Sequence, residues 1–238
     1  NIGVFMNNKT VVLGSGRLAR EFMTQKPAWD WVSRKYDGID FNKTNWYWRI
    51  NNCKQVINCI ANTDTYSKER DDHWQTNYVG VMKLVDWCNI DNQKLIHIST
   101  DYIYSGSKEN ASENDVPVTN RTWYAHTKML GDAYVQARAN NYLLIRTSFK
   151  PNPWPYDNAI TTQMGSFDYI DVIAKLIIRL IDNNAEGVFN VGTETKTIHD
   201  LAIQTKPGVR ESFNILNKHM PKNTTMNTTK MKEFLNES

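Results

Sequence analysis

Apolar residues recur along this chain in two rhythms. Residues 10–13, 54–60, 94–99, 142–146 and 187–191 form short apolar runs, as expected of strands buried on both faces, and Trp31-Val32 reads as a further short strand. Between them the spacing is helical. Leu18 and Phe22 stand at i and i+4 after Gly14, and Val81, Leu84, Val85 and Cys88 share one face of 73–89. Residues 123–140 and 169–183 continue the series, the latter with a strong apolar stripe. Strand alternating with helix predicts an α/β fold with a doubly wound parallel sheet wrapped by helices. Two stretches fall outside the alternation: 150–167, rich in Pro, Asn and Thr, and 195–238. Additions of this kind are expected over the carboxyl ends of the strands, where they shape a pocket.

Composition narrows the class. The chain has 238 residues, 40% of them hydrophobic, enough for one large core with a small appendage. A formal charge of +3 without a dense Lys/Arg stripe argues against nucleic acid as a partner. Cys53, Cys59 and Cys88 have neither metal-ligand spacing nor the number for a disulfide framework, so reduced thiols and a cytoplasmic setting are expected. The five histidines also lack metal spacing, and no metal is expected. The apolar stretch 170–181 is broken by Asp171, Lys175 and Arg179, so no membrane span is read there. Sequons such as those at Asn8 and Asn223 are read as products of an Asn- and Thr-rich chain, since no export signal is visible. The chain opens on Asn1 rather than Met, so leading residues are expected to precede it.

The first chemical signal is the turn after residues 10–13. Gly14-Ser15-Gly16-Arg17-Leu18-Ala19 reads G-x-G-x-x-A between a strand and a helix. Gly14 allows the tight turn, Gly16 lets a pyrophosphate approach the backbone, and Ala19 permits close helix–strand packing. The helix N-terminus then offers free N–H groups to phosphate. This is the fingerprint of a Rossmann dinucleotide site. The residue that reads the adenosine ribose lies about 20 positions on. Ser33-Arg34-Lys35 falls there with no acid, which suits a 2′-phosphate and favours NADP(H) over NAD(H). Asp40-Phe41 would lie near the adenine.

The second signal is Tyr124-x-x-x-Lys128, neighbours on one helix face. The lysine cation would lower the tyrosine pKa and its ammonium could hold a ribose, leaving the tyrosine to exchange a proton with a carbonyl or alcohol. Ser99 and Thr100 end the 94–99 strand, where ligands bind in such folds, and a hydroxyl there would orient the substrate oxygen. His126 is expected on another face of that helix.

Together, Gly14–Ala19, Asn58-Cys59-Ile60-Ala61, Ser99-Thr100-Asp101-Tyr102, Tyr124…Lys128 and Arg146-Thr147-Ser148 resemble the extended short-chain dehydrogenases. Within these the chain is most similar to the dTDP-4-dehydrorhamnose reductase family. The specific point is Ser-Thr-Asp-Tyr with Tyr124 following 24 residues after Thr100. The tail from Met220 to Met231 is similar as well, so the likeness covers nearly the whole chain. The resemblance implies Thr100, Tyr124 and Lys128 as catalytic residues. It implies the phosphate turn, the 33–35 cluster, Asp40, Phe41, Asn58, Cys59, Ile60, Ala61 and Asn77 on the cofactor side. Asn62, Asp101, Tyr102 and Phe149 would face the sugar. The implied division is 1–148 as NAD(P)-binding core, 149–168 and 195–238 as substrate portion, and 169–194 as a helix and strand returning to the core. The implied reaction is NADP(H)-dependent reduction of a nucleotide-linked 4-keto-6-deoxy sugar, with Tyr124 giving the proton.

There are departures from the family pattern. The phosphate turn is one residue short, Ala19 and Ala125 stand where Gly is usual, and Phe149 stands for a usual Trp. These bear on the substrate more than on the chemistry. Two other functions stay open: an epimerase of the same fold, and a non-catalytic NADP-binding regulator resembling the beta subunit of methionine adenosyltransferase. Dehydration is disfavoured because Asp101-Tyr102, not Asp-Glu, follows Thr100. The apolar faces of 73–89 and 123–140 would permit a homodimer.

Overall fold

The computed structural model describes residues 7–43, 46–115, 122–213 and 218–236. Its first half runs β1 (Asn7–Leu13), α1 (Arg17–Gln25), β2 (Asp30–Val32), α2 (Arg34–Asp37) and β3 (Cys53–Asn58). Next come α3 (Arg70–Trp74), a π turn (Gln75–Val79), α4 (Gly80–Ile90), β4 (Lys94–Ile98) and α5 (Trp123–Arg138). The second half runs β5 (Tyr142–Thr147), β6 (Phe149–Lys150), β7 (Asn158–Ile160), β8 (Met164–Gly165), β9 (Asp168–Tyr169), α6 (Ile170–Asp182) and β10 (Gly187–Val191). It closes with β11 (Lys196–Thr197), α7 (Ile198–Ala202), β12 (Arg210–Ser212), β13 (Asn223–Thr224) and α8 (Thr229–Leu235).

Six strands form one parallel sheet in the order β10-β5-β4-β3-β1-β2. The period of two along each strand divides the core. Val12, Ile57, Ile96 and Ile145 face α1, α6 and α8. Val11, Leu13, Val56, Leu95 and Leu144 face α4 and α5. Both faces are therefore covered, which is why these strands read as continuous apolar runs. Because β1 lies between β2 and β3, the chain leaves it in opposite directions, and a crevice opens beyond the carboxyl ends of β1 and β3. A smaller core of Trp154, Ile160, Phe167, Tyr169, Ile198, Leu201 and Met220 sits apart from the sheet.

Several boundaries differ from the sequence reading. The helix expected over 73–89 is α3, the π turn and α4. The extra residue of a π turn re-aims side chains, and here it turns Asn77 onto Asn62, whose backbone N–H it accepts at 2.8 Å. The second strand ends at Val32, as read, and begins at Asp30. Ser33 then caps α2, its hydroxyl accepting from Tyr36 N at 3.3 Å, so the serine is tied up in local structure. The stretch 150–167 holds β7 and β8, which pair with strands of the tail. Within that tail α8 leaves the smaller core: Met231 and Leu235 belong to the main one, against α6 and β10.

Candidate active site

The glycine turn is braced from β2. Gly14 has φ +110, its N–H donates to Val32 O at 2.9 Å, and its carbonyl accepts from the Trp31 indole. A Cβ at Gly14 would meet the backbone of Cys59 at 3.4 Å, whereas one at Gly16 would meet nothing within 4 Å. Gly16 is the N-cap of α1, and among the described residues no side chain caps the first N–H groups of that helix. Those donors and the positive end of the dipole face open space, which is what a bound diphosphate requires. The residues present therefore fit a dinucleotide.

Thr100 follows β4 and caps a 3-10 turn at Asp101–Tyr104, its hydroxyl accepting from Tyr102 N at 3.2 Å. Thr122 caps α5 by accepting from Ala125 N at 3.2 Å, and so fixes Tyr124 in the first turn. The edges of Tyr124 contact Tyr102 and His73, with ring centroids 6.3 and 6.1 Å away. Burial pushes the Tyr124 phenol up to about 12, although a hydrogen bond with Thr100 works in the other direction. Lys128, one turn on, is 1% exposed and donates to Ile98 O at 2.8 Å. Burial brings its ammonium down to about 8. The lowering expected from Lys128 is not seen: desolvation dominates, Thr100 is the group that opposes it, and Tyr124 is a neutral phenol at physiological pH.

These groups share one open cleft of about 960 Å³. On the cofactor side it is lined by Gly14, Ser15, Gly16, Arg17, Leu18, Arg34, Asp40, Phe41, Cys59, Ile60 and Ala61. Thr100, Tyr124 and Lys128 line its middle, with Asn62, Asp101, Tyr102 and Phe149. Four expected residues lie off it. Ser33 is buried at the start of α2, the Lys35 ammonium lies 5.2 Å from the Tyr36 ring centroid, Asn58 is buried between Ile60 N and His97, and Asn77 is buried behind the wall. Asn77 acts through Asn62, whose backbone N–H and C=O it binds at 2.8 and 3.0 Å. Of the basic cluster, Arg34 alone reaches the cleft, and it is joined there by Arg17. Ser99, Thr147 and Ser148 also line the wall; all three belong to motifs that the sequence displays. Asp72 and Thr76 line it too, brought in by α3 and the π turn without any local signal. His126 stacks on Trp123 instead, at 5.1 Å. Among the described residues no cluster of His, Cys, Asp or Glu could hold a metal ion, and no helix is long and apolar enough to cross a membrane.

Comparison with known proteins places this geometry in a family. Residues 10–158 match the family model described as RmlD substrate binding domain. The spore coat polysaccharide biosynthesis protein SpsK of Bacillus subtilis is 25% identical over 158 residues, 57% of this chain and 54% of that protein. The dTDP-4-dehydrorhamnose reductase of Mycobacterium tuberculosis is 26% identical over 159 residues, 56% of this chain and 51% of that protein. The match thus spans about half the length of these curated relatives. Among solved structures, the dTDP-4-dehydrorhamnose reductase of Bacillus anthracis in complex with NADP superposes with a TM-score of 0.80 at 19% identity, covering 96% of each chain.

Proposed function

Since the chain belongs to the RmlD substrate-binding domain family, we propose that it is an NADP(H)-dependent reductase of a nucleotide-linked 4-keto-6-deoxy sugar. The observation that carries this reading is a neutral Tyr124 beside Thr100 and Lys128, in the same cleft as an uncapped glycine turn. Gly14 to Leu18 would hold the diphosphate of the cofactor. Arg17 and Arg34 would meet a 2′-phosphate, and the Bacillus anthracis relative, which was solved with NADP, supports that preference. Lys128 would hold the nicotinamide ribose.

Once bound, the reduced nicotinamide supplies a hydride to the carbonyl carbon of the sugar. Thr100 hydrogen-bonds the carbonyl oxygen and orients it. Tyr124 delivers its phenolic proton to that oxygen as negative charge develops there; burial keeps that proton on the phenol until then. Asp101, Tyr102, Asn62 and Phe149 border the sugar. The proposed division of labour gives 1–148 to the cofactor, 149–168 and 195–238 mainly to the substrate, and 169–194 to the core.

Titration with NADPH and NADH, followed by absorbance after addition of nucleotide-linked 4-keto-6-deoxy sugars, tests the reading. NADPH oxidation is expected, falling about a hundredfold or more in Tyr124→Phe while binding is kept. Tight NADPH binding with no oxidation would favour a regulator instead. Failure to bind either nucleotide would remove the dinucleotide reading altogether.

A further inference from the structure

Lys128 and Asp132 stand at i and i+4 on α5, the spacing at which lysine and a carboxylate ordinarily pair. Both are 1% exposed, so the incentive to pair is strong. They do not pair here. Lys128 donates to Ile98 O at 2.8 Å, and Asp132 Oδ2 accepts from Arg146 Nε at 3.3 Å. The ring of His97, fully buried on β4, reaches both: its Nε2 is 3.5 Å from Lys128 Nζ and 3.8 Å from Asp132 Oδ1.

The protonation of that ring follows from its other side. Ile60 N donates to Asn58 Oδ1 at 3.0 Å, which fixes the amide so that Asn58 Nδ2 faces His97 Nδ1 at 3.1 Å. Nδ1 therefore accepts. Burial and the Lys128 charge hold the imidazole well below its ordinary pKa, so it is neutral and its proton lies on Nε2. An Nε2–H cannot accept from an ammonium. It opposes Lys128 and favours Asp132.

We infer that His97 and Asp132 are positioning residues for Lys128, the histidine as a neutral spacer that prevents a direct ion pair and the aspartate as the countercharge behind it. The lysine is thereby kept charged yet directed toward the cleft. This rests on the proposed role of Lys128 in holding a cofactor. The other titratable group that acts on it is Cys59 beyond β3, with Arg146 of β5 behind Asp132, and Tyr124 stands one turn before it on α5.

The test reads Lys128 directly, without cofactor. In protein carrying ε-carbon-labelled lysine, the NMR signal lost in Lys128→Arg is titrated with pH. The wild-type midpoint is expected near 8. Asp132→Asn should lower it by about one pH unit, a tenfold loss of proton affinity, because the countercharge is gone. His97→Ala should raise it, because the lysine falls back onto Asp132. NADPH affinity should drop in both. Should Asp132→Asn not fold with Arg146 unpaired, Asp132→Asn combined with Arg146→Met reads the same midpoint. General structural damage would move the two variants alike. Midpoints that move in the same direction, or stay still in both, overturn the assignment. Opposite shifts in the two variants, together with a wild-type protein that binds no NADPH, would uphold the spacer and remove the cofactor reading.

Discussion

Gly14 and Gly16 serve one turn through different constraints. Gly14 needs a positive φ and has the Cys59 backbone against it, so Gly14→Ala should destabilise the fold by about 1–3 kcal/mol, seen as a lower urea midpoint. Gly16 has an ordinary φ of −67 and empty space where a Cβ would go. Gly16→Ala should therefore leave the urea midpoint nearly unchanged while weakening NADPH binding, because the added methyl occupies the phosphate position. Equal loss of stability in both would contradict this division. The two glycines are legible in the sequence by their spacing. Their separate duties are not, because the Cys59 contact joins residues that only the sheet brings together.

Between elements, α5 lies close on the π turn near the site. A Cβ at Gly131 would lie 2.6 Å from Asn77 O, a backbone atom that cannot move aside without displacing the turn. Alanine is normally worth about 1 kcal/mol over glycine inside a helix. Gly131→Ala should nonetheless lower stability, by about 1–3 kcal/mol from overpacking, and should also weaken NADPH binding, since α5 carries Tyr124 and Lys128. A more stable variant would show that the helices can part without cost. This contact also marks where the sequence stops being informative. The apolar face Val81, Leu84, Val85 and Cys88 gives α4 its existence and direction. The π turn before it depends on Gly80 against Phe41 and on Asn77 reaching Asn62, both tertiary contacts. For the same reason Asp72 and Thr76 enter the cleft unannounced. Ser33 looked like a ligand-facing hydroxyl because its role as the cap of α2 depends on where β2 ends.

For the whole molecule, the buried ammonium of Lys128 is a cost that the fold carries. Its pKa is about 8 in the folded chain against 10.5 ordinarily, so between those values the unfolded chain binds more protons. The penalty is full below pH 8 and relieved as pH rises toward 10.5. Lys128→Met should accordingly be more stable than wild type at neutral pH, by on the order of 2 kcal/mol, with the gap narrowing in alkali. Cys53 and Cys59, raised by burial from 9.0 to about 12, act oppositely above pH 9, so the difference between the two proteins is the quantity to follow. A gap independent of pH would mean that Lys128 keeps its ordinary pKa in the folded state and that its burial costs no proton affinity.

The last described helix gives the molecule a particular relation to its own synthesis. Met231 and Leu235 share a core with Val12 and Phe22, Phe234 packs edge-on against Phe189 at 5.4 Å, and Lys230 donates to Val188 O at 2.6 Å. The core that opens with the first strand is thus finished by α8, after the smaller core has been made in between. A nascent chain cannot settle its larger half and then append the smaller one. By the time a ribosome has delivered the glycine turn, Tyr124 and Lys128, every group of the proposed reaction exists, while the wall that steadies them is still being translated.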